Sequence, residues 1–136
     1  MPRKPKALVL DTWAILAYLK GEPAGERVEA LIVDAHENDI PLMMSVMNVT
    51  EVWYAFARSA TDKVADQAIL ELKQLGIEFV EASLDLALEA AKLKARHKMS
   101  LADCFAAALA DEKKAELVTG DKEFKQVDGD IRVLWV

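Results

Sequence analysis

The sequence holds a single cysteine, Cys104, in 136 residues. One thiol excludes an internal disulfide framework and any cysteine-built zinc site, and it suits a reducing compartment. Glycine and proline are scarce, at 5 and 4, beside a hydrophobic fraction of 53%. That balance excludes collagen-like, low-complexity and disordered classes. Long hydrophobic runs are missing too. Behind the basic opening Met1-Pro-Arg-Lys-Pro-Lys6, the apolar stretch lasts only from Ala7 to Leu10 before Asp11 interrupts it. Such a stretch is too short for a secretory signal or a membrane helix, so a cytoplasmic protein without a membrane span is expected. Excess positive charge is also lacking: 17 Lys and Arg stand against 23 Asp and Glu, a net charge of −6. A general nucleic-acid coat protein gains its affinity by neutralising phosphates and is usually basic, so this composition argues mildly against one. Any contact with nucleic acid must be local. The two histidines, His36 and His97, lie far apart with no partner at ligand spacing. Both are expected at the surface.

What is present is an alternation of two kinds of segment. Ala7–Leu10 is a short apolar run of the sort that forms a strand buried on both faces. Ile40–Met44, Ile77–Val80, Leu117–Thr119 and Ile131–Trp135 read as further strands. Between them lie helical stretches at about 13–20, 24–37, 46–59, 62–75, 84–98 and 101–114. Ser45, Thr61, Ser83 and Ser100 each precede an apolar-periodic run, where a hydroxyl caps free N–H groups, and Gly76 suits a helix end. Strands separated by helical crossovers imply an α/β fold with a mostly parallel, twisted sheet of about five strands, helices covering both faces. The whole of residues 1–136 is expected to form one domain, with 1–6 a flexible basic leader. In such sheets ligands bind at the carboxyl ends of the strands.

Two of these strands run into an aspartate. Asp11 follows Leu10, and Asp121 follows Thr119-Gly120. By local pattern each reads first as a helix cap or turn residue, a role that leaves lone pairs free to face a cation. Asp103 differs. It is the only charged side chain between Ser100 and Ala110, on a helix apolar nearly all round, where a buried carboxylate needs compensation. A capping box with Ser100 is the plainer alternative. Glu51 lies off the stripe Val46, Val49, Val52, Trp53 and Phe56, on a face with Asn48 and Ala55. Periodicity makes it an ordinary solvated glutamate. Glu123 reads first as a solvated surface acid, with a peripheral fifth carboxylate as the alternative. Lys92, Lys94, Arg96 and Lys98 form a basic cluster, read equally as a solvated helix end or as a guide for a phosphate backbone. Trp13, Leu16, Trp53 and Tyr54 are core residues by default, and any left exposed would suit a partner helix.

The four acids together resemble a known signature. Val-Leu-Asp11-Thr12, Asn48-x-x-Glu51, Ser100-x-x-Asp103 and Thr119-Gly-Asp121-Lys-Glu-Phe124 are similar in order and spacing to the PIN domain, and the layout resembles its VapC-type toxins. The resemblance covers the chain from Val9 to Trp135. Trp13 departs from it, standing where a small polar residue is common.

That resemblance implies a metal-dependent endoribonuclease cleaving RNA with water as nucleophile. Asp11, Glu51, Asp103 and Asp121 would be the catalytic acids. Asp11, Asp103 and Asp121 would hold Mg²⁺ or Mn²⁺, and Thr12, Asn48 and Thr119 would support them. It also implies a cognate antitoxin and a homodimer. The alternatives are an RNA-processing nuclease of the same fold without a toxin role and a non-catalytic PIN binding module. A phosphotransfer receiver lacks its acid pair here, since Thr12 follows Asp11, and Met43-Met44 ends without an acid. A haloacid-dehalogenase-type phosphatase needs an aspartate where Trp13 stands.

Overall fold

The computed structural model describes residues 4–136. Of the expected leader, residues 1–3 lie outside the described residues, and Lys4 donates to the Asn38 side chain. Five strands form one sheet: β1 (Leu8–Leu10), β2 (Leu42–Ser45), β3 (Ile77–Val80), β4 (Glu116–Thr119) and β5 (Arg132–Trp135). Every pairing is parallel, in the order β3-β2-β1-β4-β5. The central strand β1 is wholly buried, as a continuous apolar run requires.

Six α-helices supply the crossovers: α1 (Thr12–Leu19), α2 (Pro23–Glu37), α3 (Val46–Ser59), α4 (Asp62–Gln74), α5 (Leu84–Arg96) and α6 (Leu101–Lys113). Their starts follow the sequence signals. The side chains of Asp11, Ser45, Thr61, Ser83 and Ser100 each accept a backbone N–H of the first turn, satisfying donors that have no partner inside the helix. Gly76, after α4, takes a φ of +78°, which glycine alone adopts freely.

Side chains alternate across the strands and divide the core in two. Val9 and Leu117 face Phe105, Leu109 and Phe124 on the side covered by α5 and α6. Leu8, Leu10, Met44 and Val118 face Ile15, Val28, Ile32, Val52 and Leu72 on the side covered by α1 to α4. Residues Cys104 to Ala110 of α6 are all buried, so the alanines let this helix lie close on the sheet. On α3 the buried residues are Val52, from the apolar stripe, and Asn48, which lies off it. Val49 and Phe56 of the stripe pack on the same core, while the Trp53 indole donates to Asp66 of α4 at 2.9 Å.

The topology places a site. From β1 the chain moves to β2 and β3 on one side, then returns to β4 on the other side of β1. By the rule for parallel sheets, this reversal marks the carboxyl ends of β1 and β4 as the place of a ligand crevice. Those ends are where Asp11 and Asp121 stand.

Candidate active site

Asp11 follows β1 directly, and its backbone N–H donates to Val118 in the neighbouring β4 at 3.4 Å. Its side chain is fully buried. One carboxylate oxygen accepts the Ala14 N–H at 2.8 Å, and the other accepts the Thr119 hydroxyl. The cap reading of Asp11 therefore holds, and it holds together with a position at the head of the crevice. Thr119 in turn accepts the Asp121 N–H at 3.0 Å, so one buried hydroxyl joins the two strand-end aspartates. Asp121 caps the 3₁₀ turn Lys122–Gln126 by accepting the Glu123 N–H at 3.0 Å.

Asp103 sits in the first turn of α6, whose cap Ser100 accepts the Asp103 N–H at 3.1 Å. Its side chain is half-buried. Glu51 corrects the reading from periodicity. Rather than a solvated glutamate, it is half-buried and held at both oxygens, by the Thr12 hydroxyl at 2.7 Å and the Tyr54 hydroxyl at 3.2 Å. The reason is tertiary: α1 lies against α3, and the first residue of α1 reaches across. Thr12 also accepts the Asn48 amide at 3.0 Å. The Arg58 guanidinium covers the Tyr54 ring at 4.8 Å.

The electrostatics show that these acids share one region. Burial pushes Asp11 up to about 7 from 3.8, against the lowering effect of the Thr119 and Ala14 hydrogen bonds, and Asp103 and Asp121 push it further the same way. Burial likewise raises Asp103 from 3.8 to about 6, with Asp121, Glu51 and Glu123 adding repulsion and Ser100 opposing. Each acid thus destabilises the charge of another, and no salt bridge among the described residues involves any of them.

A hard divalent cation would answer that imbalance. The donors are all oxygen, as Mg²⁺ or Mn²⁺ prefers. The buried Asn48 Oδ1 has no hydrogen-bond partner among the described residues, an acceptor left unsatisfied by the protein. Among the described residues no three acid, histidine or cysteine side chains are spaced to hold an ion by themselves. The set suits instead an ion bound through one or two carboxylates, with water completing its shell, as is usual for Mg²⁺. On donor chemistry and charge, the residues fit such an ion.

The sequence matches the PIN domain family over residues 8–130. The chain belongs to that family. No curated protein matches it. Among solved structures, VapC20 of Mycobacterium tuberculosis, described as a sarcin–ricin loop cleaving toxin, is 19% identical at a TM-score of 0.70, covering 90% of this chain and 95% of that one. VapBC-1 of nontypeable Haemophilus influenzae is 22% identical at 0.71, covering 95% and 97%. DNA-bound VapBC of Salmonella typhimurium is 18% identical at 0.71, covering 94% and 96%. At these identities the likeness is one of fold. The five-stranded parallel sheet with helices on both faces is thus the PIN fold.

Several surface readings change on this PIN domain. Trp13 and Tyr54 are exposed rather than core, and Leu16 and Trp53 are half-buried. The basic cluster is partly engaged: Lys92 pairs with Glu89 at 2.8 Å, and Lys94 donates to the Met99 carbonyl at 2.6 Å. The Lys98 backbone is clamped by the Gln126 amide, which accepts its N–H at 2.9 Å and donates to its carbonyl at 3.0 Å. That clamp ties the start of α6 to the turn carrying Asp121, and nothing in the sequence pattern marks Gln126 for it. Tyr54 was likewise missed as a neighbour of Glu51, although the i, i+3 spacing on α3 carried the signal. His36 is exposed and bonded to the Leu75 carbonyl, whereas His97 is half-buried. No described helix is long and apolar enough to cross a membrane.

Proposed function

We propose that this PIN domain is a Mg²⁺- or Mn²⁺-dependent endoribonuclease, the toxin of a toxin–antitoxin pair. The observation that carries the reading is the buried Asp11 carboxylate at the crevice between β1 and β4, repelled by Asp103 and Asp121. A charge so placed is costly unless a cation meets it. In this reading Asp11, Asp103 and Asp121 share the ion, one or two of them binding it directly and the rest through its water. When bound it would supply an activated water and stabilise charge on the phosphate.

The chain's own residues set the geometry. Thr119 fixes the orientation of Asp11 while its hydroxyl accepts from Asp121. Thr12 anchors Glu51 and is itself anchored by Asn48. Glu51, held at both oxygens beside the other acids, is placed to orient a water or take up its proton. Ser100 and the Gln126 clamp keep Asp103 and Asp121 on facing elements.

The toxin role and the antitoxin partner draw support from the fold neighbours, which include toxin–antitoxin complexes. They draw support also from the exposed Tyr54 and half-buried Leu16 and Trp53, which flank Asp11 and Glu51 in sequence, apolar surface able to seat an amphipathic helix. The net charge of −6 favours a basic partner segment. Homodimerisation belongs to the same reading.

The deciding experiment incubates purified, partner-free protein with varied RNAs in Mg²⁺, Mn²⁺ or EDTA. Cleavage is expected with either metal and none in EDTA, and Asp11→Asn should abolish it in a folded protein. Cleavage that persists in EDTA or in Asp11→Asn overturns the metal-site assignment. Expression alone should arrest growth, with relief on co-expression of the neighbouring small gene. Harmless expression of active enzyme would instead make this an RNA-processing nuclease.

A further inference from the structure

Trp13 is the second residue of α1, two positions past Asp11, and 36% of it is exposed. Its benzo edge rests directly on Gly120, between Thr119 and Asp121. A Cβ built on Gly120 would fall 2.2 Å from Cη2, 2.3 Å from Cζ3 and 2.7 Å from Cζ2 of the Trp13 ring. No side chain larger than hydrogen fits there while the ring keeps this position. Gly120 is not among the residues of positive φ, so backbone strain gives no reason for glycine at this position. The contact with the indole does. Two of the three tryptophans tie their N–H to aspartates, Trp53 to Asp66 and Trp135 to Asp128. Among the described residues Trp13 makes no such bond, and its place is set by the seat on Gly120. The result is a large, partly exposed ring held against the turn that joins the two strand-end acids.

We propose that Trp13 is a stacking platform for an unpaired nucleobase adjacent to the phosphate held at the acids, a base subsite built from this chain's own ring and its seat on Gly120. This inference rests on the nuclease reading for the position of the phosphate. A strand whose phosphate lies at Asp11 and Asp121 runs beside the turn Thr119–Asp121, on which the ring rests. Aromatic rings are the usual receivers of splayed-out bases, while paired RNA keeps its bases stacked and out of reach. The ring reads the presence of a base rather than its hydrogen-bonding edge, so it confers strandedness more than sequence.

The test has a binding arm and a cleavage arm, both with short oligoribonucleotides, intact or carrying one abasic position beside the cleavage point, scanned along the strand. In metal, an intact, cleavage-resistant phosphorothioate oligoribonucleotide should quench tryptophan fluorescence in the wild type, and Trp13→Leu should lose the quench. In metal, Trp13→Leu should lower kcat/KM about 10- to 100-fold and erase the difference between intact and abasic RNA. Trp13→Phe keeps a ring and should keep that discrimination. Gly120→Ala should displace the ring and mimic Trp13→Leu, yet add nothing in the Trp13→Leu background. Circular dichroism and melting curves confirm that each variant is folded. If the wild type cuts RNA but ignores the abasic site, or if Trp13→Leu cuts like the wild type, the platform is refuted and the nuclease reading stands. Trp13→Leu that weakens only antitoxin binding also refutes it, and assigns the ring to the protein interface. Quenching through Trp13 without any cleavage upholds the platform while the nuclease reading falls. Neither binding nor cleavage refutes both.

Discussion

Asp11 carries two demands that pull in opposite directions. As a cap it accepts from Ala14, and with Thr119 it completes a buried hydrogen-bond set. As a buried charge without a counter-ion it costs stability. With the folded-state values raised from 3.8 to about 7 for Asp11 and about 6 for Asp103, the folded chain binds protons more readily than the unfolded one. The stabilising contribution is therefore complete below about pH 4 and is lost as pH rises through about 6 to 7. Metal-free protein should melt at a higher temperature at about pH 5 than at about pH 8. Asp11→Asn should flatten that difference and raise the melting temperature at the higher pH, because its amide can donate to Thr119 while its oxygen still accepts from Ala14. A metal-free wild type that gains stability from pH 5 to pH 8 would contradict this description of Asp11.

At the scale of elements, close approach of helices sets what the chain tolerates. Gly25 lies in the first turn of α2, against α1, and a Cβ there would meet the Ala17 carbonyl oxygen at 2.4 Å. Glycine to alanine inside a helix ordinarily stabilises by about 1 kcal/mol. Here the obstacle is backbone, which cannot swing aside, so Gly25→Ala should instead destabilise by about 1–3 kcal/mol. Urea denaturation measures the sign directly. The consequence extends past α2, because α1 carries Thr12 and Trp13 and begins at Asp11. Displacing it would loosen the Thr12 hydrogen bond to Glu51, so activity should fall along with stability. A stabilised, fully active Gly25→Ala would show that α1 and α2 separate at little cost.

For the molecule as a whole, a proposed ion couples the active site to the fold. Anything bound only by the folded state stabilises it by mass action, about 2.7 kcal/mol at a hundred times its Kd. Mg²⁺ or Mn²⁺ should raise the melting temperature of the wild type, and EDTA should reverse the gain. Since ligating carboxylates must be ionised, the increase should be larger at about pH 8 than at about pH 5. Asp11→Asn should lose most of it. An equal shift in wild type and variant would mean that the metal binds elsewhere on the acidic surface.

The sequence by itself determined the element order, the helix caps and the parallel α/β layout, because these rest on local chemistry. Hydroxyls before apolar runs, glycine after α4 and an unbroken Leu8–Leu10 strand all act over a few residues. It also set two strand-end aspartates and one lone acid on an alanine-rich helix, and these stand at one end of the sheet. What the tertiary structure decided was the company each residue keeps. Periodicity placed Glu51 in solvent, since the α3 pattern says nothing of Thr12 reaching across from α1. It likewise passed over Asn48, a polar residue off the stripe that proved fully buried. Trp13 and Tyr54 read as core because large aromatics usually are; only the packed molecule leaves them at the mouth of the crevice. The seat of Trp13 on Gly120 joins residues 107 positions apart in the chain. Contacts of that kind arise from the parallel pairing of β1 with β4, which no local pattern encodes.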